Sequence, residues 1–261
     1  QPAASIGAAA ESGSVFPLSV GAHGLYLHQK LMPGSAKYNV PICLKLVGDI
    51  DIALLRRAWD AVIDRFPILM TRVIETEDVP ALVLDHGCRT TITEIDPDDA
   101  GHDALIASLR SSAREPFDPG SGPLVRADLH RTASPLSYLL VVAHHMIFDG
   151  HSGILLLNSL LDAYRGLSSS GRTGIFMPST GYSEYVAWER SMLASSEGKK
   201  HADFWEHQAG RADSGERLVD LASGSGGFAD VPGPLVLSGC VAAILGVGLL
   251  LAGARLEPSG R

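Results

Sequence analysis

The sequence has few of the residues that build covalent or thiolate-based scaffolds. Its 261 residues include only three cysteines, Cys43, Cys88 and Cys240. They lie far apart and form no C-x-x-C pair, which argues against a disulfide framework and against a thiolate zinc site. This usage is typical of a reducing compartment, so we expect a cytoplasmic protein.

Clusters of basic residues are also missing. The chain carries 21 Lys and Arg against 29 Asp and Glu, a formal net charge of -8. Without a run of cations to follow a phosphate backbone, we expect no nucleic-acid partner. Residues 1–15 lack the cationic start and apolar core of a signal peptide, and their Ala, Ser and Gly content predicts a flexible leader.

Hydrophobic residues are plentiful, at 46% of the chain, which is enough for a buried core. Their spacing alternates between the periods of strands and helices, which predicts a mixed α and β fold. Asp51 is the predicted N-cap of an amphipathic helix that ends before Pro67. A second helix is predicted at 102–114, and strands are predicted at 38–47, 68–74, 81–85, 89–95 and 124–130.

The run Leu136 to Ala143 is almost continuously apolar, as in a strand covered on both faces. It places His144 and His145 at the carboxyl end of that strand. Asp149-Gly150 then predicts a turn.

The segment after this turn predicts one more helix and a link. The helix is expected from about Ser152 to Arg165, with Gly166 as its stop. The serines at 168–170, followed by Gly171, predict a flexible link. The aromatic residues of 182–205 indicate further helix.

A histidine at a strand end can carry chemistry, because its pKa lies near neutrality and it can take a proton from an amine, hydroxyl or thiol. Asp149 is close enough in sequence to His145 to hold backbone groups of the same turn or to meet a cation. Gly150 leaves room for a substrate to approach the backbone. The residues alone leave both a structural and a catalytic role open for the histidine pair.

Two other kinds of site are compatible with these residues. His144, His145, Asp149 and His151 lie within eight positions and are possible metal ligands. Neighbouring strand residues point to opposite faces, however, so His144 and His145 would not easily bind one ion, and we expect no metal. A serine hydrolase using Ser152 is disfavoured because no G-x-S-x-G elbow is present.

Residues 144–150 have the form HHxxxDG, which resembles the signature of the acyltransferase superfamily that includes chloramphenicol acetyltransferase and the condensation domains of nonribosomal peptide synthetases. Three other segments resemble this family in the same order along the chain. They are Tyr38 to Trp59, Pro116 to Ala127, and the aromatic stretch Tyr182 to Trp188 with Phe204-Trp205. The resemblance covers about residues 16–211.

This resemblance implies an α/β (α+β) fold, a single chloramphenicol-acetyltransferase-like lobe with a mixed sheet flanked by helices. In the complete domain two lobes form a V, and thioesters on the phosphopantetheine arms of carrier domains meet in the tunnel between them. No cofactor would be bound directly. His145 would assist attack of an acceptor amine on the donor thioester, as a base or by orienting the amine, while His144 would support the loop and Gly150 would keep the tunnel open.

The sequence departs from the family pattern at three positions, two of which are arginines in the family. Met70 stands where the family has the arginine that pairs with the aspartate of the signature, so we predict Arg72 or Arg126 as the partner of Asp149. Ala22 and Gly24 occupy positions where a glutamine and an arginine are typical. Polar contacts that line the tunnel in the family are therefore expected to be missing.

Residues 212–261 match nothing in the family, and residues 235–254 run for 20 positions without a charge. That length is enough for a helix to cross a bilayer. Three interpretations stay open for this tail: a membrane helix that would anchor the protein, the product of a shifted reading frame, and a buried hairpin around Gly246 and Gly248. Because most of a second lobe is missing, we predict a truncated domain.

Three functions are compatible with the sequence. The first is amide-bond formation between a carrier-bound acyl donor and an amine acceptor in nonribosomal peptide synthesis. The second is a stand-alone O-acyltransferase that uses acyl-coenzyme A or an acyl carrier. The third is a non-catalytic remnant, membrane-tethered or free, that binds a carrier protein.

Overall fold

The computed structural model describes residues 12–77, 79–96, 101–132, 135–173 and 181–211. Within these ranges the chain divides into two compact units, the first ending at Glu184 and the second beginning at Tyr185. Most of the predicted leader and the apolar segment 235–254 lie outside the described residues. Among the helices of the described ranges, none is long and apolar enough to cross a bilayer.

A four-stranded mixed sheet forms the centre of the first unit. Its strands are β2 (Asn39–Val47), β5 (Ile92–Ile95), β6 (Val125–Arg131) and β7 (Leu136–His144), in the order β2-β7-β6-β5. Strand β7 is antiparallel to both of its neighbours, and β5 runs parallel to β6. Residues 139–144 of β7 are buried, as the apolar run predicts for a strand covered on both faces.

A smaller antiparallel sheet contains β1 (Val15–Pro17), β3 (Thr71–Thr76) and β4 (Val79–Leu84), in the order β1-β4-β3. The strand predicted at 68–74 begins later than expected. Pro67–Met70 forms a 3-10 helix, with proline at its first position. The fixed φ of proline suits a helical start, so the strand begins only at Thr71.

Helix α1 (Val20–Leu31) is an element that the sequence did not predict, although Ser19 caps it by accepting a hydrogen bond from the N–H of Ala22 at 3.1 Å. Helix α2 (Ile52–Arg65) begins after Asp51, whose side chain accepts from the N–H of Leu54 at 2.9 Å. This confirms the predicted cap. Helix α3 (Gly101–Arg114) lies one residue from its predicted start.

Helix α4 (Gly150–Ser170) is longer than predicted at both ends. It passes through Gly166 and ends at Gly171, which has φ 68° in the left-handed region. The prediction of a stop at Gly166 and a link over 168–170 is therefore wrong. The hydroxyls of Ser169 and Ser170 donate to carbonyls four residues back, at 2.8 and 3.0 Å, so these serines fit within the helix.

The first turns of α4 approach β2 closely at Gly153. A Cβ atom on this glycine would lie 2.4 Å from Cδ1 of Ile42. The missing side chain therefore allows α4 to begin against the sheet, next to the end of β7.

The chain continues into helix α5 (Tyr182–Ala194), which leads into the second unit, and α6 (Ser196–Arg211). Within that unit the rings of Tyr185 and Trp188 lie 6.0 Å apart, and those of Phe204 and Trp205 lie 5.3 Å apart. The helical character predicted for this aromatic stretch is confirmed.

Candidate active site at the end of strand β7

The backbone at the end of β7 is held from both sides. The N–H of His144 donates to the carbonyl of Leu124 at 2.9 Å, and the N–H of His145 donates to the carbonyl of Tyr38 at 2.8 Å. The N–H of Ile147 then donates to the carbonyl of His144 at 3.1 Å, which closes a turn. The backbone of His145 is therefore positioned by the sheet rather than by a free loop.

The two histidines face opposite environments, as neighbouring residues of a strand do. His144 is 1% exposed, whereas His145 is exposed to solvent. His145 can therefore meet a substrate, and His144 lies in the interior.

The imidazole of His144 is packed between two aromatic rings. Its centroid lies 6.2 Å from that of Tyr38 and 6.2 Å from that of Phe117, both edge to face. Burial, with a smaller contribution from neighbouring His145, lowers the pKa of His144 to about 4. His144 is thus neutral at physiological pH.

The hydrogen bond of His144 fixes its tautomer. Its Nδ1 atom accepts from the N–H of Met146 at 3.1 Å. Because a backbone N–H can only donate, Nδ1 carries no proton, and in the neutral ring the proton is on Nε2. His144 is therefore a buried acceptor that shapes the turn beside His145.

Asp149 is the N-cap of α4. Its Oδ1 atom accepts from the N–H and from the hydroxyl of Ser152, both at 2.7 Å. These two hydrogen bonds are the main causes that lower the pKa of the Asp149 carboxyl. A Cβ atom on the next residue, Gly150, would meet nothing within 4 Å, so open space adjoins the start of the helix.

The two arginines predicted as partners of Asp149 bind other groups. Arg72 lies on β3 of the smaller sheet, where its Nε donates to Asp85 at 2.8 Å. Arg126 lies on β6 and donates to the carbonyls of Ser112 and Glu115. Within the described ranges neither arginine pairs with Asp149, whose Oδ1 atom instead accepts from Ser152 at the helix N-terminus.

Sequence reasoning does not identify Phe117, whose ring contacts His144, or Gln29, which binds the backbone of Phe117. Phe117 opens a segment whose glycines and prolines predict a turn, but no periodicity links it to a strand end 27 positions later. Gln29 of α1 is 1% exposed, and its Nε2 atom donates to the carbonyl of Ser35 at 3.1 Å and to that of Phe117 at 3.5 Å. Only the folded chain brings these residues together.

Solved structures share this fold. The starter condensation domain of rhizomide synthetase RzmA, solved as a variant in complex with C8-CoA, superposes with a TM-score of 0.68 at 21% identity, over 75% of this chain and 45% of that chain. The first condensation domain of the calcium-dependent antibiotic synthetase, with a substrate analogue, superposes with a TM-score of 0.66 at 22% identity, over 76% of this chain and 48% of that chain. These likenesses confirm the predicted α/β lobe.

Sequence relatives agree with the structural ones. Polyketide synthase PksN of Bacillus subtilis (strain 168) is 32% identical over 194 residues, which are 74% of this chain and 4% of PksN. Bacitracin synthase 3 of Bacillus licheniformis is 25% identical over 196 residues, which are 75% of this chain and 3% of that synthase. The chain therefore spans a few per cent of these curated relatives and under half of the solved chains above.

The sequence model of one family, described as Condensation domain, matches residues 14–220. The match contains the whole turn from His144 to Gly150 and the segments that hold it. The chain belongs to the condensation domain family.

Proposed function

We propose that this chain contributes one wall of a condensation site. The reaction would join an acyl group, held as a thioester on the phosphopantetheine arm of one carrier domain, to an amine held by a second carrier. The observation that carries this proposal is the arrangement at the end of β7. An exposed His145 is fixed by the sheet there, beside a buried, neutral His144.

The proposed step balances without a bound cofactor. The amine nitrogen attacks the thioester carbonyl, a C–N bond forms, and the C–S bond breaks. The released thiolate takes up one proton, and the amine loses one. His145 would accept the proton of the attacking amine, or orient the amine while solvent carries the proton.

The remaining signature residues would act on the geometry of the turn. His144 would hold the Met146 N–H and so fix the turn that follows His145. Asp149 would anchor the start of α4 through Ser152. Gly150 would leave the adjacent space open to the pantetheine arm or the acyl group.

The partners proposed are acyl or peptidyl carrier protein domains. The family membership and the relatives named above support this proposal, since each of them is a large synthase of which this chain matches a few per cent. The second carrier arm would approach from the side of the exposed His145.

A reconstituted reaction tests the proposal. The full-length protein is supplied with one carrier loaded with an acyl thioester and one loaded with an aminoacyl thioester, and amide product is measured by mass spectrometry. We expect His145→Ala to lower the rate on the order of 100-fold, as removal of a general base or an orienting group does. His151→Ala is the matched control, because His151 is an exposed histidine on the first turn of α4, and it should leave the rate unchanged.

The same assay separates the alternatives. Product formed equally well by His145→Ala would overturn the role of His145. Transfer from acyl-coenzyme A to an alcohol, with no amide formed, would favour an O-acyltransferase. Carrier binding without turnover would favour a non-catalytic protein.

A further inference from the structure

Arg126 occupies the junction between β6, the end of α3 and the ring of Phe117. Its guanidinium carbon lies 4.2 Å from the centroid of the Phe117 ring. Only 18% of its side chain is exposed. A cation in this position is attracted to the face of the ring, and the attraction is stronger because the site is largely shielded from water.

The guanidinium also closes the end of α3. Its Nη2 atom donates to the carbonyl of Ser112 at 2.8 Å and to that of Glu115 at 2.5 Å. The last carbonyls of a helix have no partners within the helix and carry a partial negative charge, so a cation there both satisfies and stabilises them.

Asn39 of β2 binds the same helix end from the other side. Its Nδ2 atom donates to the carbonyls of Ala113 and Glu115 at 2.9 and 2.8 Å. Asn39 is also the β2 residue paired with His144 in the sheet. The end of α3 is therefore fastened to the strands on both sides of the site.

Phe117 lies two residues after Glu115 and connects this end of α3 to His144. Its ring contacts the guanidinium of Arg126 and meets the imidazole of His144 edge to face, at an interplanar angle of 84°. His144 in turn accepts the Met146 N–H next to His145. These contacts form a continuous series of neighbouring residues from Arg126 to the exposed His145.

We propose that Arg126 is a positioning residue for His145, which acts by holding Phe117 against the His144 imidazole. The expected effect on rate rests on the function proposed above, whereas the expected effect on His144 does not. Lysine should replace Arg126 only in part, because an ammonium lacks the planar fork that stacks on a ring while donating to two carbonyls.

Nitrogen NMR of the full chain, labelled at the histidine side chains, tests the arrangement at neutral pH. In the wild type His144 should show an unprotonated Nδ1 and a protonated Nε2. We expect Arg126→Met to give a mixture of the two tautomers and to lower the rate of the full-length protein about 10- to 100-fold. Arg126→Lys should lie between these values.

Arg131→Met is the matched control, since Arg131 is an exposed arginine on the same strand, and it should change neither reading. If Arg126→Met does not fold, Phe117→Leu and Arg126→Lys give the same two readings. A folded Arg126 or Phe117 variant with an unchanged His144 spectrum would overturn the proposal, and so would a changed spectrum with an unchanged rate. Failure of His145→Ala to lower the rate would instead overturn the proposed function and leave the spectral result standing.

Discussion

One oxygen of Asp149 accepts two hydrogen bonds from Ser152, one from its backbone N–H and one from its hydroxyl, each 2.7 Å long. The carboxylate is thus directed into the first turn of α4, while the two arginines that the sequence suggested as partners bind other groups. Its negative charge lies at the positive end of the helix dipole. The aspartate of the signature therefore stabilises the helix that follows the turn after His145.

Removal of this cap should weaken the fold by a small, measurable amount. We expect Asp149→Ala to lower the free energy of unfolding by about 1 kcal/mol, as is typical for loss of an N-cap. Asp149→Asn should lower it less, because asparagine also caps well. Urea denaturation measures both, with Asp162→Ala as the control because Asp162 is an exposed aspartate within the same helix. Equal losses in Asp149→Ala and Asp162→Ala would contradict the role of the cap.

The buried His144 predicts a dependence of stability on pH. Its pKa is lowered from 6.5 to about 4 in the folded chain, so between these values the unfolded chain binds more protons than the folded one. The stability is complete above about pH 6.5 and declines as the pH falls towards 4, by up to about 3 kcal/mol.

The variant His144→Asn isolates this effect, because asparagine does not titrate. Wild type and variant are compared by urea unfolding between about pH 7 and pH 4.5, and the difference between them is followed. Contributions from Asp128 and His130, whose pKa values are also shifted by burial, are common to both proteins and cancel. A difference that stays constant with pH would show that His144 titrates normally.

The acceptor atom and the aromatic ring of His144 can be separated by two substitutions. His144→Asn keeps an acceptor that can reach the N–H two residues later, as asparagine does in turns. His144→Phe keeps a ring but leaves the buried Met146 N–H without its acceptor. We expect the asparagine variant to retain a condensation rate on the order of tenfold higher than the phenylalanine variant. The reverse order would mean that packing, and not the hydrogen bond, shapes the turn.

The contact between α4 and β2 predicts that Gly153→Ala destabilises the wild type but stabilises a variant in which Ile42 is shortened. Gly153→Ala should lower the free energy of unfolding by about 1 kcal/mol, because the new Cβ would lie 2.4 Å from Cδ1 of Ile42. Ile42→Val removes that Cδ1 atom. In this background Gly153→Ala should raise the free energy of unfolding by about 0.5–1 kcal/mol, the usual gain of alanine over glycine in a helix. Denaturation of the four proteins provides the test, and additive effects would contradict it.

The sequence alone predicts an element correctly where a few neighbouring residues determine it. Asp51 marks the start of α2, and the apolar run before His144 marks one of the two inner strands of the larger sheet. The signature at 144–150 indicates both the family and the turn. In each case the information lies within a few neighbouring residues.

The predictions fail where distant contacts decide the outcome. The stop predicted at Gly166 is a separate case, because a second glycine five residues later, Gly171, adopts the positive φ that ends α4. Arg72 is expected at Asp149 but meets Asp85, which the pairing of β3 with β4 brings close to it. Phe117 and Gln29 reach the site only through the tertiary fold. A single sequence contains no local pattern that reports such contacts.

The pairing of β2 with β7 limits where two related condensation domains can be joined in a chimaera. The two strands are matched over nine residue pairs, from Val47 opposite Leu136 to Asn39 opposite His144, and the Tyr38 carbonyl extends this alignment to His145. A crossover that lost one residue within β7 would exchange the outward and inward histidines, because successive residues of a strand face opposite sides. The two strands are therefore best inherited together from one parent, so a single junction belongs outside residues 39–144.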